Sequence, residues 1–191
     1  MLNIVLFGPP GAGKGTQSQK IIEKYKLQHL ATGDMLRAAI REQSPIGVEA
    51  QKYIDKGQLV PDEMVINLIA RELDNHHDVP GFVFDGFPRT TVQAKKLDEM
   101  LDAKRAPITI MLALEVDYNE LIARLLNRGK MSDRSDDQDE GIIRGRLDIY
   151  NKTTLPVMDY YKAQGKYRGV NGMGTIDEIF ERICQVIDSS R

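Results

Sequence analysis

The chain has 191 residues, 41% of them hydrophobic, with a formal net charge of −2 and a single cysteine, Cys184. That is enough chain and apolar content for one domain with a sizeable core and small insertions, and the charge balance excludes the broad basic field of a general nucleic-acid binder. No apolar run approaches the roughly 20 residues that span a bilayer, the run 2–7 is too short for a signal-peptide core, and a lone cysteine suits a reducing compartment; the expectation is a soluble, cytoplasmic protein with no membrane or nucleic-acid partner.

The apolar run 2–7 predicts a buried strand leading straight into GPPGAGKGT at 8–16, then a helix through Gln17, Ile21, Ile22 and Tyr25. Glycines at 8, 11, 13 and 15 let the backbone take positive φ and approach a ligand closely. Successive N–H groups then point into one concavity at a helix N-terminus, a site made for phosphate. Lys14 adds a mobile cation at its rim. The pattern is the phosphate loop G-x-x-x-x-G-K-[ST] with one departure: Gly15 follows Lys14, and the hydroxyl comes at Thr16. A turn that only packed a helix on a strand would not need four glycines, a lysine and a hydroxyl together, so the stretch predicts polyphosphate binding.

Residues 29–31 read as a short strand. Thr32 is expected to N-cap the next helix, with Asp34 favourable in its first turn and Met35, Leu36, Ala39 and Ile40 on its apolar face. Pro45 starts a second short helix ending near Gly57, and Pro61 a third, with Met64, Val65, Leu68, Ile69 and Leu73 at helical spacing. Residues 32–60 are thus a helical excursion between a strand and a helix, where a second binding site fits. The apolar run 81–84 ended by Asp85 suits a central parallel strand buried on both faces. Gly86, Phe87, Pro88 and Arg89 form a turn before a helix over 91–104 with Leu97, Met100 and Leu101 inward. Residues 107–114 are another buried strand, and 118–128 a helix carrying Leu121, Ile122 and Leu125 inward. Residues 129–140 are polar except for Met131. A helix follows through Ile142, Ile143, Leu147 and Tyr150, then another over 155–164 and a last strand over 167–171. An amphipathic helix over 175–187 closes the chain, with Ile176, Ile179, Phe180, Ile183 and Ile187 on one side. Strands alternating with helices specify an α/β protein with a parallel sheet covered on both faces.

Asp85 ends a buried strand, the place where phosphate-loop enzymes put a magnesium-holding aspartate, and it would face Lys14 across the carboxyl ends of the strands. Arg124 and Arg128 share a helix face, Arg134 lies just beyond, and Arg144 and Arg146 follow on the next helix. Their spacing alone is as compatible with a solvated face paired to carboxylates, Glu120 being placed for Arg124; beside a polyphosphate site it favours anion binding, to which the guanidinium fork is suited. The acidic set Asp133, Asp136, Asp137, Asp139 and Glu140 lacks the glycine of a calcium loop, and Asp137 as N-cap with Glu140 in the capping-box position explains much of it. His76, His77 and Asp78 read as a surface loop and Cys184 as core. There is no Ser-His-Asp or Cys-His arrangement, and an anionic phosphate acceptor needs no general base.

These residues resemble the adenylate kinase family over almost the whole chain: GPPGAGKGT, ATGDMLR at 31–37, GQLVPDEMV at 57–65, FDGFPRT at 84–90, the arginines of 121–128, RGKMSDRSDD at 128–137 and RGRL at 144–147. Gly15 after the lysine is what nucleoside monophosphate kinases carry. The resemblance implies a five-stranded parallel core over 1–30, 61–126 and 138–191, an AMP-binding insertion over 31–60 and a mobile lid over 127–137. It implies that Gly11, Ala12, Gly13, Lys14, Gly15, Thr16, Arg124, Arg128 and Gly174 hold ATP. Thr32, Arg37, Gln58, Leu59, Val60, Gly86, Phe87, Pro88, Arg89, Gln93, Arg134 and Arg146 would hold AMP. Lys14, Arg89, Arg128, Arg134 and Arg146 would stabilise the transferring phosphoryl, and Asp85, through water, with Thr16 would hold Mg2+. The lid lacks the four cysteines of some long-lid bacterial members, so the resemblance is to a short-lid form without zinc. The implied activity is MgATP plus AMP to two ADP, by a monomer whose partners are ATP, AMP and ADP. The competing readings are a UMP/CMP kinase, where alanine and asparagine usually replace Thr32 and Gln93, and a non-catalytic nucleotide-gated switch.

Overall fold

Alternation along the strands sorts the apolar side chains onto the two faces of a single sheet. In the computed structural model, which describes residues 1–132 and 134–190, the strands are β1 (Ile4–Phe7), β2 (Gln28–Ala31), β3 (Phe82–Asp85), β4 (Ile110–Glu115) and β5 (Tyr167–Asn171). All pairings are parallel, in the order β2-β3-β1-β4-β5. The helices are α1 (Lys14–Tyr25), α2 (Thr32–Arg41), α3 (Pro45–Ile54), α4 (Asp62–Asn75), α5 (Thr91–Ala103), α6 (Tyr118–Met131), α7 (Glu140–Ile149), α8 (Pro156–Ala163) and α9 (Ile176–Ser189).

Successive side chains of a strand point to opposite faces. Ile4, Leu6, Val83, Ile110, Leu112 and Leu114 accordingly meet Ile21 of α1, Leu125 of α6, Leu147 of α7 and Ile183 of α9 on one face. Val5, Phe7, Phe82, Phe84, Met111 and Ala113 meet Leu36 of α2, Ile69 of α4, Leu97 of α5 and Tyr161 of α8 on the other. Both faces of the sheet are covered, as the unbroken apolar runs predict. Each large apolar side chain fully buried this way contributes about 1.5–3 kcal/mol. Cys184 is buried in the first of these layers, and His76, His77 and Asp78 fall in the loop between α4 and β3. Among the described residues no helix is long and apolar enough to cross a membrane.

Two local expectations are corrected. Thr32 is the first helical residue of α2 rather than its N-cap, which is Ala31, and the Thr32 hydroxyl donates instead to the Gly86 carbonyl at 3.0 Å. A tertiary acceptor has captured the group that would otherwise have capped the helix. Ile176, whose helical phase points inward, is 53% exposed. It is the first residue of α9, inside the Thr175–Glu178 capping box, and there lines a small surface cavity instead of the core.

Candidate active site

The sheet brings three strand ends to one place. Asp85 is in register with Leu6 of β1 and Ala31 of β2, so the phosphate loop after β1, the start of α2 and the turn after β3 open onto the same carboxyl edge. Ligands of open α/β sheets bind at such a crevice. Here it is a cavity of about 630 Å3. Every site residue expected from sequence lines it, except two: Ala12 and Gly174 line a smaller cavity of about 280 Å3. The two spaces share Gly13, Thr16 and Arg124, so they are continuous across the phosphate loop. Arg144 is turned away, paired with Glu140 on the exposed side of α7.

On the loop side the backbone supplies the geometry. Gly11 and Gly13 have φ of 85° and 88°, a region that L side chains rarely adopt. A Cβ on Gly11 would also lie 3.0 Å from the Leu121 carbonyl oxygen. The next residue begins α1, and no side chain caps it, so its first N–H groups face the cleft uncommitted. Lys14 folds back over the loop, its Nζ donating to the Gly8 and Pro9 carbonyls at 2.8 and 2.9 Å. Burial draws its pKa down to about 8; Asp85 opposes this, and Arg89, Arg128 and Arg146 add to it. Burial alone would raise the Asp85 carboxyl, but His29, Lys14 and Arg89 more than offset it and hold the group below the usual carboxylate range. Ser18 Oγ lies 3.5 Å from that carboxylate and His29 Nε2 3.8 Å.

The opposite wall is built from long side chains. Arg89 donates from Nε to the Gly86 carbonyl at 2.7 Å, and among the described residues it has no carboxylate within ion-pair distance. Burial first, then Arg146, with Arg37 adding and Asp85 opposing, draws its pKa down to about 10. Such a guanidinium lacks only an anion. Arg37 and Arg134 both reach Asp34, Arg134 at 3.4 Å. Arg128 and Arg146 converge on a carboxylate whose role sequence reading had misassigned. Asp137 does not cap α7; that N-cap is Asp139, whose side chain accepts from the Ile142 N–H at 2.9 Å. The Asp137 side chain is fully buried, taking two bonds from Arg128, at 2.5 and 3.0 Å, and one from Arg146. Arg146 also contacts Asp136 Oδ2 at 3.0 Å. Burial would raise the Asp137 carboxyl, but Arg128 and Arg146 hold it below its ordinary range. Gly129 makes the arrangement possible, since a Cβ there would sit 2.2 Å from the Asp137 carbonyl oxygen. Asp133 lies outside the described residues.

The turn at Ser135–Asp137 also bridges to the excursion, Ser135 Oγ donating to Asp55 at 2.8 Å. Between them, Thr32 and Gln93 are buried against the cleft. The Thr32 hydroxyl proton is spent on Gly86, leaving only lone pairs to offer a ligand. Gln93 accepts from the Arg89 N–H at 2.7 Å and donates to Asp62 at 2.8 Å. Sequence reading missed Asp62, the pairing of Asp137 with both Arg128 and Arg146, and the lining formed by Ile149, Tyr150 and Thr154. The last two lie in a π-helical segment, Tyr150–Thr154, a distortion common at functional sites; an extra residue per turn leaves no local composition signal.

Seven of the described residues lining the cleft are cationic and three acidic, in a chain whose formal charge is −2. No described group of three or more His, Cys, Asp or Glu side chains is placed to hold a metal ion. A cleft of this charge joined to a phosphate loop is suited to two phosphorylated ligands. The family model described as adenylate kinase matches residues 6–166. The chain belongs to the adenylate kinase family. It is 50% identical to the adenylate kinase of Bacteroides fragilis over 189 residues, 99% of this chain and 100% of the relative. Against the adenylate kinase of Bacteroides thetaiotaomicron it is 50% identical over 188 residues, 98% and 99% of the two chains. Against that of Porphyromonas gingivalis it is 44% identical over 191 residues, 100% and 98%. Membership therefore rests on the whole chain and not on the phosphate loop alone.

Proposed function

We propose that this chain catalyses reversible phosphoryl transfer from MgATP to AMP, giving two ADP, and so balances the adenine nucleotides. Family membership supports the reaction. The observation that carries it is the pairing of two anion sites in one cleft: a backbone phosphate loop facing Arg37, Arg89, Arg128, Arg134 and Arg146. A switch that only bound a nucleotide would need the first wall and not the second.

In this reading the α1 amides and Lys14 hold the donor phosphates, Lys14 exchanging the Gly8 and Pro9 carbonyls for phosphate oxygens. Arg124 and Arg128 flank the donor, and Gly174 lies by its base in the smaller cavity. Arg37 anchors the AMP phosphate, with Thr32, Gln58, Leu59, Val60, Gln93 and the turn of Gly86, Phe87, Pro88 and Arg89 around the nucleoside. An AMP phosphate oxygen attacks the γ-phosphorus, the bond to the β–γ bridging oxygen breaks, and ADP leaves. The attacking oxygen is already anionic, so no side chain has to take a proton. Arg89, Arg134 and Arg146 neutralise the charge spread over the moving phosphoryl, and positioning of this sort supplies most of the catalysis. Magnesium fits the donor set: Asp85, held below the usual carboxylate range, would hold it through water together with the Thr16 hydroxyl, suiting an ion that keeps water and phosphate ligands. Bound with ATP, it neutralises phosphate charge. Residues 127–137 act as a lid and 31–60 as the acceptor-binding insertion. The contacts of Ser135 with Asp55 and Arg134 with Asp34 support closure of the two against each other, which excludes water as an acceptor. The protein acts as a cytoplasmic monomer on these nucleotides, without zinc, nucleic acid or membrane.

The test mixes the protein and MgATP with each nucleoside monophosphate in turn and follows ADP. Transfer to AMP alone supports the proposal, transfer to UMP or CMP assigns the pyrimidine branch, and no transfer leaves the switch.

A further inference from the structure

We propose that Asp62, which does not itself line the cleft, is a positioning residue that fixes which way round the Gln93 amide faces the acceptor base. It thereby sets the preference for a 6-amino over a 6-oxo purine. The proposal rests on the placement of Gln93 against the AMP base given above.

Gln93 is 2% exposed and lines the cleft from the first turn of α5. Two partners hold its amide. The Arg89 backbone N–H donates to Oε1 at 2.7 Å, and Nε2 donates to Asp62 Oδ1 at 2.8 Å. A backbone N–H can only donate and an ionised carboxylate can only accept, so the amide has one permitted orientation. Asp62 is itself held: it stands in the first turn of α4, and the same Oδ1 accepts from Thr90 Oγ1 at 3.0 Å. Thr90 in turn caps α5 by accepting from the Gln93 N–H at 3.1 Å. Gln93, Asp62 and Thr90 thus close a ring of donors and acceptors, to which the Arg89 N–H adds a fixed donor.

Each group of the amide has one hydrogen-bonding position left, an N–H on Nε2 and a lone pair on Oε1. Adenine matches that pair, with an acceptor at N1 and a donor at the 6-amino group. A 6-oxo purine reverses both, with a donor at N1 and an acceptor at O6. The Thr32 hydroxyl, its proton committed to Gly86, also offers only lone pairs. Accommodating a 6-oxo purine requires Gln93 to turn over, which aims Oε1 at the Asp62 carboxylate and Nε2 at the Arg89 N–H. A buried polar pair mismatched in this way is strongly rejected. Gln93 touches the base, and Asp62 prevents it from adapting.

The measurement is kcat/KM for AMP and for IMP, which differs from AMP in the 6-position and N1 pattern, at saturating MgATP. Asp62→Asn removes the obligatory acceptor, since an amide can present oxygen or N–H to Gln93. The AMP-to-IMP ratio is expected to fall about tenfold, through a higher KM for AMP and a lower one for IMP, with KM for MgATP unmoved. Asp62→Ala carries the same comparison if Asp62→Asn folds poorly. A ratio unchanged in both, with only the unfolding midpoint lowered, makes Asp62 structural and overturns the proposal. Gln93→Leu separates the two levels. If it changes the ratio while the Asp62 variants do not, only the role of Asp62 fails; if it too leaves the ratio unchanged, Gln93 is not on the base and both readings fall.

Discussion

The two walls of the cleft are made of different material. The phosphate-loop wall is backbone: a strand end, positive-φ glycines and the uncapped start of α1, with the Lys14 side chain folded over it. The facing wall is side chain: arginines from α2, the turn after β3, α6, the segment after α6, and α7, held by Asp34, Asp136 and Asp137. A backbone site is pre-organised by the fold itself, whereas the arginine site exists only while its carboxylates keep like charges together. Arg89 is the exception that exposes the design. Among the described residues it has no carboxylate partner, so its charge is left for an anionic ligand.

The largest effect should come from removing that exception. Arg89→Ala is expected to lower kcat by about a thousandfold, the lower end of what a phosphoryl-stabilising arginine supplies. The fold should stand, because among the described residues Arg89 pairs with no carboxylate and contributes no buried ion pair. Steady-state kinetics with an unfolding curve checks both. A loss under tenfold would mean the backbone wall works alone. Lys14→Ala comes next, at about a hundredfold, with KM for MgATP raised more than KM for AMP. The amides of α1 remain in that variant, which is why the loss should be smaller than for Arg89.

The difference in material also explains what could be read in advance. The phosphate loop, the five strands and the α/β class depend on local residue choice: glycines in order, apolar runs, helix-to-strand spacing. The arginines were visible as a cluster, yet their partners were not. Asp137 and Asp139 each stand three residues before a helical N–H, so either fits an N-cap by spacing, and only the approach of Arg128 and Arg146 decides between them. Thr32 failed as a cap for the same reason, its hydroxyl being claimed by a carbonyl 54 residues away. Asp62 looks from sequence like an ordinary acidic residue in a helix's first turn, and its partners at 90 and 93 come from another helix.

Asp137→Asn should loosen the side-chain wall while sparing the backbone one. It leaves Arg128 and Arg146 without a shared counter-charge, so kcat/KM for AMP is expected to fall about tenfold. Stability should fall by about 2 kcal/mol, less than for a fully buried pair because Arg128 is partly exposed to solvent. The sign with pH follows from the lowered carboxyl. Its contribution is present above the unfolded aspartate value and disappears as pH falls through the folded one. The gap between wild type and variant should therefore close in acid, which chemical denaturation across pH measures.

The smallest effect concerns protons, and it separates the walls without any mutation. Lys14, drawn down to about 8, is protonated below that pH and neutral above it. The profile of kcat/KM for MgATP reports the free enzyme, so it should decline above pH 8, by about fourfold between pH 7 and 8.5 for one group titrating there. Arg89, drawn down to about 10, keeps its charge over this range, so KM for AMP should stay flat. With MgATP bound, the phosphates favour the charged lysine, and the kcat profile should stay level to higher pH. Lys14→Ala has no proton to lose and should abolish the alkaline limb. A limb that survives in that variant, or that appears in the AMP profile instead, would assign the titration to the arginine wall.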